Sequence, residues 1–525
     1  MGNLIGGAAS DFLIGADGVN TWSLSGPGSG AVTGVGFSSF ENLSGGAVAD
    51  LFQFSAAASF SVINGAAGTD TADYSLLAGP LSLTAGDLSS LFGSASFVSI
   101  ESIIGSGSTL DLVTGLNAAS TWDVTGLNAF TVAGINYSGF ENITGGSAAD
   151  TFNFQSLGAL SGSLNGGTGA TNLLSYSSRT TVVSVNLQTG AATSIAGGFS
   201  NIGDFVGGSN VADSLTGANV VQSWTIDGIN SGSIGGAVTF GSFEVLIGGS
   251  DNDSFAIADG GSIVSIAGGG GTTNALDYGG RMGAVSVNFG TGVATGVSGF
   301  SGINTLVGNA NTSLILNAGD DTVQITGVGA GNVNSGQLLY SSVQSLDGAG
   351  GSNTLIGRNT ANVFAVTGAN SGTVDGLSFS NFGSLTGNAA ADQFQLQAGG
   401  SLSGSINGSS GANSLTYAGR VTAVSVNLQT GSATSMAGGF SNIGDFVGGS
   451  NVADSLTGAN VVQTWTINGI NSGSIGGAVT FGSFEVLIGG TDNDSFSIAD
   501  GGSIVSIVGG EEQRMPWITG AAWER

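Results

Sequence analysis

The chain is 525 residues long, with 98 glycines, three prolines, no cysteine and no histidine. Its six basic residues are all arginines and stand against 34 acidic ones, a formal net charge of −28. That balance argues against nucleic acid as a partner, because backbone binding rests on basic side chains, and the missing cysteines exclude disulfides and thiolate metal sites.

The opening stretch, MGNLIGGAASDFLIG, has no basic segment and no apolar run of signal-peptide length. No apolar run in the chain reaches the length of a membrane span, so none is expected. A repeat begins almost at once. Trp22 lies in TWSLSG, and Phe40 opens FENLSGG. The two phrases return as TWDVTG around Trp122 and FENITGG from Phe140, then as SWTIDG around Trp224 and FEVLIGG from Phe243. Phe364 takes the tryptophan's place in VFAVTG, and Trp465 lies in TWTING. The long cycle is therefore about 100 residues, with one insertion between Trp224 and Phe364. The segment from Gly197 returns almost letter for letter from Gly438.

Glycines that close these phrases recur in steps of about 40 or 60 residues, which reads as two or three units of about 20. A unit of that size cannot bury a face of its own, whereas stacked units form a continuous core. Within each unit, short alternating runs such as SWTIDG, DSFAIAD and VVSVNLQTG read as strands, with glycine, asparagine and aspartate at the turns. No segment carries a helix-length apolar stripe. The expected fold is all-β, a parallel β-solenoid with coils of about 20 residues over 1–509; the alternative is a row of β-sandwich repeats of about 100 residues each. The aromatic register of Trp22, Trp122, Trp224, Phe364 and Trp465 is expected in the core, since Phe can replace Trp only where the indole donor is dispensable. At 510–525 the composition changes abruptly, and this tail is expected to act as a cap, an assembly segment or a scar of truncation.

The phrase GGTGATNLLSYSSRTTVVSVNLQTGAATSIAGGFSNIGDFVGGSNVADSLTG from Gly166 has parallels from Gly268 and Gly408. It resembles the glycine-rich repeats of large bacterial secreted and surface proteins, the RTX-like and haemagglutinin-like adhesins. The resemblance implies export to the extracellular space or the bacterial cell surface, a parallel β-solenoid, and a stalk or adhesin role. It also implies calcium as a possible cofactor, through the RTX nonapeptide GGxGxDxLx. The positions matching its aspartate are Asp150, Asp253, Asp321 and Asp494, with Asp251 and Asp492 as second acids at two of them. The copies here are isolated rather than tandem, and each aspartate equally suits a turn cap that accepts backbone N–H groups.

Catalysis is not expected. Histidine and lysine are absent, and Arg179, Arg281 and Arg420 recur in matched places, SYSSR, DYGGR and TYAGR, as repeat features paired with an acid or lying on the surface. Glu41, Glu141, Glu244 and Glu485 recur likewise and read as solvent-facing or turn positions. Repetition of this kind suits a structural or adhesive rod. Expected partners are a further copy of the chain, joined end to end, and a surface glycan or protein receptor.

Overall fold

A computed structural model describes residues 2–87, 89, 96–169 and 171–509. The segment 510–525 lies outside the described residues. Contacts divide the chain into two compact units, Met1–Thr272 and Thr273–Arg525. No α-helix occurs among the described residues; a single 3-10 turn, Asn334–Gly336, interrupts the strands.

Each unit is a parallel β-solenoid, and the chain makes about 16 turns in all. In the first unit, Leu83, Val113 and Ile143 lie at the centres of three-residue strands stacked in register, Leu83 on Val113 and Val113 on Ile143. All three are buried, while the flanking Thr84, Thr114 and Thr144 are half-buried, the alternation expected of a one-sided sheet. The second unit repeats the device with Val426, Leu456, Leu487 and Ile507. The parallel ladders exclude the row of sandwiches.

The coil is longer than the expected 20 residues. Thr121 pairs with Thr151, and Ser184 with Ser214, so the common turn is about thirty residues and carries three strands. Shorter, two-strand turns occur where Leu51 pairs with Thr71 and where Val245 pairs with Ser265. One strand with its corner occupies about ten residues, and a turn uses two or three of these modules. Glycine spacing reports the module, so the sequence alone cannot tell how many modules close a turn.

Among the described residues, antiparallel pairing appears only in excursions from the ladders. Besides the antiparallel run over 285–301, six three-strand meanders begin, among the described residues, at Thr21, Thr121, Ser223, Thr322, Val363 and Thr464. In each, the register slips just before a glycine, for example between Val124 and Gly126, and the tip is closed by a residue with positive φ: Gly28, Asn128, Asn230, Gly329, Asn370 or Asn471. Glycine and asparagine tolerate that left-handed conformation, which explains their recurrence at the tips. The meander from Thr322 was hidden in the sequence because Val323 stands at the aromatic position.

Trp22, Trp122, Trp224 and Trp465 are fully buried, each stacked on a phenylalanine of the adjacent turn with centroids 5.3–5.8 Å apart. Phe364 stacks on Phe394 at 4.9 Å in the same way. The glycine seven residues before each ring is forced by this packing: a Cβ on Gly217 would lie 2.9 Å from the Trp224 ring, and one on Gly458 2.8 Å from Trp465. These tryptophan Nε1–H groups have no hydrogen-bond partner, so the position uses the ring only as apolar volume.

Candidate functional site

The most frequently repeated polar arrangement is a buried aspartate at the corner between turns. Asp150 is representative. Its Oδ1 accepts the backbone N–H of Ser120 in the preceding turn at 2.8 Å, and its Oδ2 accepts the N–H of Gly146 in its own corner at 2.8 Å. Asp50, Asp111, Asp213, Asp392 and Asp454 make the same pair of bonds, with the inter-turn bond at 2.7–2.9 Å. The motif places the carboxylate five or six residues after a closing glycine, where the corner's N–H groups converge and would otherwise be buried without acceptors.

Each clamp is linked onward. The N–H of Asp150 donates to Asn172 Oδ1 and that of Asp392 to Asn413 Oδ1, both at 2.9 Å. Those of Asp111, Asp213 and Asp454 donate to Oε2 of Glu141, Glu244 and Glu485 at 3.1–3.2 Å. These three glutamates are buried rather than solvent-facing, because Oε1 is also engaged by the amide of Asn128, Asn230 or Asn471 at a meander tip. Burial raises the carboxyls of Glu141 and Glu244 above their ordinary range, against the opposing pull of the N–H donors.

The positions matched to a calcium repeat fall on this framework. Asp253 and Asp494 clamp Gln222 and Gln463 in the preceding turn, at 2.9 and 2.8 Å, and Gly249 and Gly490 in their own corners. Asp251 and Asp492 are exposed on the outer side of the same corners. Burial, with Asp251 adding to it, raises the Asp253 carboxyl. Asp321 differs: its N–H donates to Asn353 Oδ1, its Oδ1 accepts the Asn334 amide at 2.7 Å, and its Oδ2 is buried without a partner. Both carboxylate oxygens of Asp150, Asp253 and Asp494 already accept a backbone N–H, and calcium asks for six to eight oxygens. No group of three or more metal-ligating side chains is assembled among the described residues.

The repeat arginines depart from expectation. Arg179 and Arg420 are buried, only 6% exposed, and their partners are not acids. Arg179 donates through Nη1 to Ser194 Oγ at 2.9 Å and through Nη2 to the Gly158 carbonyl at 2.6 Å. Arg420 repeats this with Ser435 Oγ and the Gly400 carbonyl, both at 2.7 Å. Each guanidinium lies over a tyrosine, Tyr176 at 5.5 Å or Tyr417 at 5.7 Å, whose hydroxyl donates to the carbonyl of Thr193 or Thr434. The arginine thus gathers carbonyls from a short-turn corner and ties an adjoining hairpin to it. Arg281 is half-buried, and its neighbour Tyr278 keeps the equivalent bond to the Thr295 carbonyl at 2.8 Å.

One concave feature lies where the repeat is least regular. In the second unit a cleft of about 260 Å³ is lined by Ala310, Val328, Gly329, Ser342, Val343 and Gln344, among others. A smaller recess beside it includes Arg358 and Asp375, which form an ion pair at 2.6 Å. Arg358 follows a closing glycine where other copies have alanine or leucine, as at Ala218 and Leu116, and that departure is the sequence signal for this place.

No helix among the described residues is long and apolar enough to cross a membrane. The chain matches no family model, and no curated protein shows significant similarity to it.

Proposed function

We propose that the chain works by its shape, as a structural or adhesive repeat rod at a bacterial surface, serving as stalk, matrix or fibre component outside the cell. The observation that supports this most is the reuse of one corner device: the same aspartate clamp recurs in both units, and the chemistry-bearing side chains spend their hydrogen bonds on the backbone. Arginine, tyrosine and glutamate are absorbed in the same way. No catalytic activity forms part of this reading.

Its test is excision of one long repeat. Removing 197–437 joins equivalent sequence at Gly438, so the corner register is kept. A spacer shortened in this way should reach proportionally less far from a surface to which it is tethered, as read by force spectroscopy, while staying folded. A reach unchanged by the excision overturns the spacer reading.

A second reading, a glycan-binding module, is favoured by the cleft beside Arg358 and Asp375, because it is a concave place that the repeat does not copy. Loss of surface adhesion on changing Arg358→Ala in the full chain, and on the excision of 197–437 that removes the cleft with it, would distinguish a local binding site from a rod.

A further inference from the structure

Asp70 occupies a seat that the other short turns give to an amide. Asp150 is followed by Asn172 and Asp392 by Asn413, whereas Asp50 is followed by Asp70. The three pairs are built alike on one side: the N–H of Asp50 donates to Asp70 Oδ1 at 2.7 Å, just as those of Asp150 and Asp392 donate to Asn172 and Asn413. The corners also match, since the N–H groups of Ala66, Gly167 and Ser409 each turn to the asparagine two residues before them.

On the other side the amides donate. Asn172 Nδ2 reaches the Asn201 carbonyl at 2.9 Å, and Asn413 Nδ2 reaches the Asn442 carbonyl at 3.1 Å. The equivalent carbonyl for Asp70 belongs to Ser99, whose φ of 53° matches the 55° of Asn201 and Asn442. A Cβ placed on Gly65 would strike both Ser99 O and Asp70 Oδ2, as one on Gly166 would strike Asn201 O and Asn172 Nδ2. Asp70 Oδ2 therefore sits in a donor's place opposite a carbonyl oxygen, completely buried and without a hydrogen-bond partner.

An ionised oxygen in that place would face a lone pair, in a site from which water is excluded, and such a group is costly to bury. Its charged neighbours make matters worse. Asp50 lies in the preceding turn, and Glu101 in the following turn accepts the Asp70 N–H at 2.9 Å; both are acids. We infer that Asp70 is held as a neutral carboxylic acid whose Oδ2–H donates to the Ser99 carbonyl, so that this seam is a latch closed by a proton. Burial, ahead of the two neighbouring acids, raises the Asp70 carboxyl in accordance with this geometry. Stability from the latch is then full in acid and is lost as the pH rises through the folded-state value.

The test compares Asp70→Asn with Asp50→Asn in the full chain. Asparagine supplies the missing donor permanently, so Asp70→Asn should melt at a higher temperature than the wild type in mildly alkaline solution and match it in acid. Asp50→Asn, which puts an amide where two N–H groups already converge, should melt lower. Infrared spectra of the wild type at mildly acidic pH should also show a protonated-carboxyl band that Asp70→Asn lacks. A fall in melting temperature for Asp70→Asn in alkaline solution overturns the proposal, as does a carboxyl band unaffected by the substitution. Should the variant not fold, titration of that band in a chain carrying Glu141→Gln, Glu244→Gln and Asp253→Asn, the other carboxyls raised by burial, decides: its loss only above the ordinary carboxylate range supports the latch, and its loss within that range refutes it.

Discussion

Asp150 and Ser120 are thirty residues apart in sequence and 2.8 Å apart in the fold, joined by a backbone N–H that the carboxylate takes from the turn before its own. Because the other carboxylate oxygen holds Gly146, one side chain fixes both the shape of a corner and the stacking of two turns. Replacing Asp150 by Ala leaves two buried N–H groups without acceptors, which should cost about 2–4 kcal/mol. Amide hydrogen exchange should quicken at Ser120 and Gly146 together. Acceleration at Gly146 alone would show that the clamp does not bridge the turns.

The aromatic position should tolerate exchange. Trp224→Phe removes a buried donor that has no partner and keeps a ring to stack on Phe255, so its cost should stay within about 1.5 kcal/mol. Trp224→Ala should cost about 3–5 kcal/mol through the cavity it leaves. Urea melts of the two variants measure the contrast.

Arginine at 179 should not be exchangeable with lysine. A single ammonium cannot reach Ser194 Oγ and the Gly158 carbonyl together from its place over Tyr176. Arg179→Lys should therefore destabilise by about 2 kcal/mol or more, and Arg179→Met, which strands no buried charge, should cost less than the lysine. Chemical denaturation in parallel with Arg420→Lys and Arg420→Met checks both copies of the device.

The pH dependence should run opposite to that of a protein held by salt bridges. Burial raises the carboxyls of Glu141, Glu244 and Asp253, so the folded chain binds protons more tightly there than the unfolded chain does. Their contribution is then complete below the unfolded-state values and is lost as the pH climbs through the raised ones. Melting temperature should fall from mildly acidic to neutral pH, and high salt should reduce that part of the slope due to the net charge of −28 while leaving the buried part. A melting temperature that climbs over the same interval contradicts the assignment.

Alternation made the ladders legible: in VVSVN, Val183 and Val185 are buried and Ser184 is exposed. Leu187, next in the alternation, is only half-buried, because the strand ends at Asn186 and the chain leaves on a hairpin. Turn length was not legible, since a ten-residue module gives the same glycine spacing whether two or three close a turn. The aspartates could be read as corner caps, but not as links between turns, because their second partner lies thirty residues away. Arg179 and Arg420 looked like surface or ion-paired residues because their acceptors are backbone carbonyls, which leave no mark in a sequence. Val323 concealed a meander because the fold asks for apolar volume there, not for tryptophan.

In this fold the carboxylates hold the turns by accepting backbone N–H groups. Far-UV circular dichroism with thermal melting, in chelator and then across a calcium titration, tests it most directly. If those bonds suffice, the chain shows a full β spectrum in chelator and a melting temperature that calcium does not move. A chain that is unfolded in chelator and becomes β-rich with calcium would contradict it, and would return Asp251, Asp253, Asp492 and Asp494 to the role of ligands.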